Sequence, residues 1–66
     1  MDLQEVKRNL NKRVKYKGFD GEYKLTACIL RRDKTHYFYQ AELLDLRNGR
    51  SVIYCKLSDI EAEVIA

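Results

Sequence analysis

Two runs of strand-forming residues flank an Asn48-Gly49 pair, and no other feature limits the possible folds of this chain as strongly. The runs comprise residues 37–43 and 51–57, which are rich in aromatic and β-branched side chains. Such side chains fill a pleated, half-buried surface well, and Asn and Gly accept the positive φ angles of a tight hairpin turn. The pattern therefore predicts a β-hairpin and a mainly β fold.

The loop length of this hairpin sets its register. A two-residue loop would mix the apolar and polar faces of the two strands. A three-residue loop, residues 47–49 with the glycine in the left-handed position, pairs Leu43 with Ile53 and Ala41 with Cys55. We expect the second register because it brings the apolar faces together.

A short amphipathic helix is predicted at the N-terminus. Asp2 and Glu5 have the spacing of a capping box. The apolar residues Leu3, Val6 and Leu10 recur at intervals of three and four, which describes one narrow apolar stripe. A helix that ends near residue 11 is too short to be stable alone in water. We therefore expect the stripe to pack on the rest of the domain and to close one end of its core.

Alternation of apolar and polar residues predicts two strands before the hairpin. The first covers residues 13–17 and the second covers residues 22–30, because one apolar set alternates with polar neighbours in each. Cys28 falls on the outward side of the second strand in this reading. The residues predicted for the core are Val14, Leu25, Ala27, Ile29, Ala41, Leu43, Ile53, Leu57 and Ile60.

The end of the chain predicts one helical turn at residues 58–61 and a closing strand at residues 62–65. The extra apolar residues Leu44 and Leu46 indicate that the third strand bends, and strongly bent strands are typical of small barrels. A chain of 66 residues forms one domain. We expect a helix over residues 1–12 and a small β-barrel over residues 13–66.

The cysteine and histidine content limits the chemistry of the chain. Cys28 and Cys55 are the only cysteines and His36 is the only histidine, so no zinc site can be written and no metal is expected. Two cysteines within strands are typical of buried free thiols in a reducing compartment, although a cross-strand disulfide is the alternative. The sequence shows neither a signal-peptide pattern nor an apolar run of about 20 residues. We expect a cytoplasmic protein without a membrane partner.

Three segments carry a resemblance to a known fold family. They are the opening strand at residues 13–18, the Asn48-Gly49 hairpin, and residues 56–61 as the turn before the final strand. Together they resemble the SH3-like small β-barrels, which include Tudor-like and KOW-type domains. The resemblance implies a mainly β fold, a five-stranded antiparallel SH3-like barrel with a short N-terminal α-helix. The whole chain is also similar to small uncharacterised proteins of bacterial phages and mobile elements, which implies no activity.

The sequence differs from two better-known families of small barrels, and the differences limit which ligands and folds the resemblance implies. Peptide-binding SH3 domains usually include tryptophan in their ligand groove, and this chain has none, so a proline-rich ligand is disfavoured. Sm-like RNA-binding barrels also place a short helix before five bent strands. Their strand-two glycine and base-binding Asp and Asn have no counterpart in residues 24–43, and an Sm-like ring is the alternative fold.

Positive charge is concentrated in the first half of the chain. Residues 1–36 hold ten Lys and Arg against five Asp and Glu, whereas residues 37–66 hold three against five. A basic stripe can follow phosphates, whose contacts dominate sequence-independent nucleic-acid affinity; a solvated face is the alternative. This predicted basic face consists of Lys7, Arg8, Lys12, Arg13, Lys15, Lys17 and Lys24. A second basic cluster is predicted to form a charged loop between strands; it consists of Arg31, Arg32 and Lys34.

Exposed aromatic rings are the second kind of candidate contact. Phe19, Phe38 and Tyr54 have a loop position or a strand parity that exposes them, so they are candidate partner-surface residues. An aromatic cage for methylated lysine would need several rings to converge with a carboxylate. The tyrosines predicted for the core are Tyr16, Tyr23, Tyr37 and Tyr39.

The residue inventory disfavours catalysis and cofactor binding. A single histidine gives no catalytic triad, no Gly-rich phosphate loop is present, and no cofactor is expected. We expect a non-enzymatic binding module that contacts nucleic acid or a ribonucleoprotein through the predicted basic face. The alternative is a protein-interaction or regulatory subunit, including a homo-oligomer, that uses an exposed strand edge or an aromatic surface.

Overall fold

The computed structural model describes residues 1–49 and 51–63, which form a short helix and one five-stranded antiparallel sheet. The strand order is β4-β3-β2-β1-β5, and every pair of neighbours is antiparallel. This confirms the mainly β prediction with an N-terminal helix. The elements are α1 (Leu3–Asn9), β1 (Arg13–Tyr16), β2 (Tyr23–Arg32), β3 (Tyr37–Asp45), β4 (Ser51–Lys56), a 3₁₀ turn (Leu57–Asp59) and β5 (Ile60–Ala62).

The sheet of the described residues is open. Strands β4 and β5 lie at its two edges, and no ladder joins them within residues 1–49 and 51–63. The predicted closure into a barrel is therefore not seen. The closing strand was predicted at residues 62–65, but strand β5 begins two residues earlier, at Ile60. Val64 and Ile65 of the predicted strand lie outside the described part of the chain.

Helix α1 begins with the predicted capping box. The Glu5 amide donates to Asp2 Oδ1 at 2.8 Å, and the Asp2 amide donates to Glu5 Oε1 at 3.3 Å. Val6 is 1% exposed and lies in the core. Leu10 is 40% exposed, so its predicted place at the end of the core is wrong: it is the C-cap residue, at which the backbone leaves the helical conformation with φ −58° and ψ 133°.

A bulge in β2 changes which side of this strand faces the core. Leu25 pairs with Leu43, but the register shifts at Thr26, and beyond it Cys28 pairs with Ala41. Cys28 packs on the core, whereas Ala27 and Ile29 are half-buried and lie outside it. The predicted core positions of Ala27 and Ile29, and the outward position of Cys28, are therefore wrong.

The core joins the helix, the sheet and the 3₁₀ turn. Five predicted core residues are buried: Val14, Leu25, Ala41, Leu43 and Ile60. Ile53 and Leu57 are partly buried and pack against them. The remaining buried members are Val6, Tyr23 and Cys55, and Met1, Tyr16 and Cys28 pack at the margin.

The β3–β4 hairpin has the predicted register. Leu43 pairs with Ile53 and Ala41 with Cys55, and Gly49 adopts a left-handed φ of 59°. The buried carboxylate of Asp45 fixes the turn. Its Oδ1 accepts from the amides of residues 47 and 48 at 3.0 and 3.2 Å, and its Oδ2 accepts from the Asn48 side chain at 3.1 Å.

Candidate functional site

The predicted basic face divides between the helix and the sheet. Lys7 and Arg8 are exposed in the last turn of α1, and Lys12 is exposed in the connection to β1. On β1, Arg13 and Lys15 point away from the side that carries buried Val14, and Lys17 follows directly. Lys24 is half-buried on β2 and is paired across the strands with Arg13.

Most of these cations have no carboxylate beside them. Among the described residues, Arg13 is the one member of the predicted basic face with a carboxylate oxygen within 4.0 Å, at 2.7 Å from Glu22 Oε1. Glu22 also lies 3.8 Å from Arg47 Nε. The other six members therefore form no direct ion pair within residues 1–49 and 51–63.

Many carboxylates of the chain are engaged in holding the fold. Asp2 and Glu5 close the capping box, and Asp45 holds the β3–β4 turn. Glu42 accepts from the Thr26 hydroxyl at 2.9 Å and from the Tyr54 hydroxyl at 3.1 Å. These acidic groups are bound within the fold, whereas six members of the predicted basic face are exposed and Lys24 is half-buried.

A carboxylate separates two parts of the predicted basic face. Lys12 and Arg13 line a groove of about 290 Å³ together with Asn9 and Glu63. Lys15 and Lys17 line a second, larger groove of about 660 Å³, which Glu63 also borders. Glu61 lines this larger groove and is paired across the strands with Lys15. The structure thus brings Lys12 and Arg13 together, and it places Lys15 and Lys17 in a more acidic setting.

The larger groove also contains an aromatic stack. Phe19 is 58% exposed, as predicted, but its ring lies against Tyr16 with centroids 4.3 Å apart and an interplanar angle of 20°. Tyr23 meets the Tyr16 ring edge-on at 5.5 Å. Burial, followed by the nearby Cys55 and Asp59, raises the pKa of Tyr16. No space remains between the rings of Tyr16 and Phe19 for an inserted cation.

The other two aromatic candidates lie together on the far side of the sheet from the core. Phe38 pairs with Arg31, whose guanidinium carbon lies 5.9 Å from the centroid of the Tyr54 ring. Both rings are exposed, as predicted. The hydrogen bond from the Tyr54 hydroxyl to Glu42 holds the neutral phenol and raises the pKa of Tyr54.

One further surface was not predicted as a site. We call it the β2–β3 arm and define it as residues 30–39. Every residue of the arm is exposed. Tyr37 and Tyr39 are 67% and 41% exposed, so their predicted place in the core is wrong. The β3–β4 ladder begins at Gln40 and the β1–β2 ladder reaches only Lys24, so the arm has no neighbouring strand on either side within the described residues. Two features of the sequence pointed to this segment: the basic cluster of Arg31, Arg32 and Lys34, and the exposed position predicted for Phe38.

The two cysteines are free, as predicted. Cys28 and Cys55 flank Ala41 on either side in the ladder, which places them two strand spacings, about 10 Å, apart. A disulfide requires Cα atoms within about 7 Å. Burial raises the pKa of both thiols, with a smaller contribution from Asp59 at Cys55.

Metal-binding clusters and membrane-spanning helices are not found in the described part of the chain. No group of three or more His, Cys, Asp or Glu side chains within residues 1–49 and 51–63 is placed to hold a metal ion. No helix there has the length and apolarity needed to cross a bilayer. Comparisons with protein-family models, with curated proteins and with solved structures found no match.

Proposed function

We propose that this chain is a non-enzymatic binding module that contacts nucleic acid, alone or within a ribonucleoprotein, through the predicted basic face. The proposal rests on one observation: most cations of this face lack a carboxylate partner within the described part of the chain, whereas many carboxylates are already hydrogen-bonded within the fold. Six of the seven residues of that face have no carboxylate within 4.0 Å among the described residues, and many acidic side chains are bound within the fold. Unpaired, solvated cations are free to bind phosphates.

The helix side of the basic face is its strongest part. Lys7, Arg8 and Lys12 lie close in sequence at the end of α1 and directly after it, and Lys12 shares a groove with Arg13. Lys15 and Lys17 contribute less because Asp20 and Glu61 line their groove in addition to Glu63, which lines both grooves. A phosphate chain is therefore expected to follow the helix end and the start of β1.

We also propose an SH3-like arrangement for the sheet. Three features support it: the strands follow one another in order from β1 to β4, β2 carries a bulge, and a single 3₁₀ turn precedes β5. A bulge bends a strand and increases its twist, which is the local step that a curved small sheet requires.

Salt dependence tests the proposed nucleic-acid contact. Labelled single-stranded and double-stranded oligonucleotides are titrated with the protein, and fluorescence anisotropy reports binding. A single-stranded contact to about five phosphates predicts a roughly 100-fold loss of affinity between about 50 and 200 mM salt. Affinity that stays constant over this range, or no binding at the lower salt concentration, would contradict the proposal.

A matched pair of variants locates the contact. Lys12→Gln and Lys56→Gln each remove one exposed lysine charge, and Lys56 lies on β4, outside the basic face. Lys12→Gln should reduce the slope of log K against log salt by about 0.7 to 0.9, the value of one phosphate contact. Lys56→Gln should leave the slope unchanged. Equal effects of the two variants would mean that net charge, and not this face, governs binding.

Strand β4 favours a second candidate function, a protein-interaction or regulatory subunit that associates through a sheet edge. This strand is paired on one side only within the described residues, and Val52 and Tyr54 on it are each 49% exposed. An exposed edge strand can pair with a strand of another chain, including a second copy of this one. Light scattering after gel filtration would then show a dimer or larger species whose population is insensitive to salt, and Val52→Lys would reduce it.

A further inference from the structure

The β2–β3 arm is a two-stranded ribbon with both of its faces exposed. Three cross-strand pairs build it: Leu30 with Tyr39, Arg31 with Phe38, and Arg32 with Tyr37. Because side chains alternate along strands, the middle pair points to one face and the other two pairs point to the opposite face. Each face of the arm therefore presents at least one aromatic ring and one arginine.

The tip of the arm is ordered by its own hydrogen bonds. The Asp33 amide donates to the His36 carbonyl at 2.9 Å. Asp33 Oδ1 accepts from the amides of Thr35 and His36 at 2.8 and 2.7 Å. These bonds, that of Thr35 first, lower the pKa of the Asp33 carboxyl. The arm is thus closed by a defined turn.

The arm carries excess positive charge at its free end. It contains three Lys and Arg residues and one acidic residue, Asp33, so its formal charge is +2. The Asp33 carboxylate is directed at the backbone of the turn, and the cations have no carboxylate within 4.0 Å in the described part of the chain. The Arg32 guanidinium carbon lies 5.4 Å from the centroid of the Tyr37 ring, so a cation and a ring form one compact unit.

We infer that the β2–β3 arm is a stacking element for single-stranded nucleic acid, an inference that rests on the proposed nucleic-acid function. Tyr37 and Tyr39 offer ring faces on which unpaired bases stack, while Arg31, Arg32 and Lys34 attract the phosphates. Proteins that bind single-stranded nucleic acid without sequence preference combine exposed aromatic rings with positively charged side chains that follow the phosphate backbone of the strand. The predicted basic face supplies electrostatic attraction, and the arm distinguishes unpaired bases from a duplex.

The charge and size of the arm disfavour a second copy of this chain as its occupant. Two arms of formal charge +2 repel each other. The arm also offers only three residues on each of its strands, a short edge for strand addition. Single-stranded nucleic acid complements the positive charge with its phosphates and can stack its bases on the exposed rings. An aliphatic protein surface offers no negative charge and no stacking partner.

Ring-conserving and ring-removing substitutions test this inference. Tyr37→Leu and Tyr39→Leu keep an apolar side chain on the strand but remove the aromatic face, whereas Tyr37→Phe and Tyr39→Phe keep the face. The probe is a fluorescein-labelled thymidylate oligonucleotide at fixed low salt. We expect each leucine variant to bind about 5- to 150-fold more weakly and each phenylalanine variant to bind as the unaltered protein does. Circular dichroism melts verify that the variants fold.

An abasic oligonucleotide of the same length provides a second test that needs no variant. It keeps the phosphates and removes the bases, so the unaltered protein should bind it less tightly than thymidylate by a factor similar to that of the leucine substitutions. Leucine variants that bind thymidylate normally, equal affinity for the abasic strand, or tighter binding of a duplex would each overturn the stacking role and leave the basic-face proposal standing. Absence of binding to any oligonucleotide would overturn both.

Discussion

Replacing Val6 with alanine tests whether helix α1 is part of the folded core. Val6 is 1% exposed and lies among the buried residues of the sheet, including Val14 and Leu25. The nitrogen of Met1, which precedes the helix, donates to the carbonyl oxygens of Leu57 at 2.8 Å and Ile60 at 3.4 Å. The substitution removes two methyl groups from this contact and leaves the capping box intact.

The expected cost follows from the burial of those methyl groups. Their lost transfer from water costs about 1.5 kcal/mol. The space left behind adds about 1 kcal/mol where the helix cannot collapse onto it. The higher helix propensity of alanine offsets about 0.5 kcal/mol of this. We expect Val6→Ala to lower the free energy of unfolding by about 2 kcal/mol, out of the roughly 3 to 10 kcal/mol available to a chain this size.

Leu10→Ala is the matched control because it deletes a larger side chain from the end of the same helix. Leu10 is 40% exposed, so the three carbons that the substitution removes are only partly buried and their loss should cost about 1.4 kcal/mol, less than the Val6 substitution. Thermal unfolding followed by circular dichroism should show midpoints about 8 to 16 °C lower for Val6→Ala and clearly less affected for Leu10→Ala. A larger effect at Leu10 than at Val6, or an unchanged midpoint for Val6→Ala, would refute the docking of α1 described above.

Two further predictions concern the β3–β4 hairpin. Asp45→Ala removes the acceptor for the amides of residues 47 and 48, so it should cost about 2 kcal/mol and lower the urea midpoint; an unchanged midpoint would mean that the turn holds without it. Glu42→Gln removes the carboxylate that raises the pKa of Tyr54, so this pKa should fall toward its ordinary value of 10.0. The folded protein favours the neutral phenol of Tyr54, and this contribution to the free energy of unfolding is fully present below about pH 10. It is lost as the pH rises through the raised pKa of Tyr54 in the folded protein. Glu42→Gln should therefore reduce the stability that the protein loses at alkaline pH. Ultraviolet titration, with Tyr54→Phe identifying the signal, measures the change, and an unaltered titration would contradict it.

The exposed tyrosines illustrate why strand parity alone does not establish burial. Tyr37 and Tyr39 lie on the same side of β3 as buried Ala41, as their alternation predicts. Their side of the strand is nevertheless open, because the neighbouring strands end before the arm begins. The length of a neighbouring strand is decided far away in the sequence, so no local pattern near Tyr37 reports it.

The features that depend on local chemistry could be predicted from the order of the amino acids. The spacing of Asp2 and Glu5 was sufficient for the helix cap, and the apolar pattern around the Asn48-Gly49 turn was sufficient for the hairpin register. Both rest on interactions between residues close together in the chain or joined by one short turn. The exposure of Phe38 and Tyr54 followed in the same way from their parity.

Two features depend on contacts between distant segments: which side of β2 faces the core, and where the sheet ends. A strand pattern has a period of two, so the one extra residue at Thr26 exchanges the faces for every position after it and brings Cys28 inward. The residues next to Thr26 in the sequence do not predict this shift. It is seen in the pairing with β3, where Ala27 lies opposite Glu42 and the Thr26 hydroxyl donates to Glu42. The free β2–β3 arm and the open edges of β4 and β5 likewise depend on contacts between distant segments, which alternation along one strand does not encode.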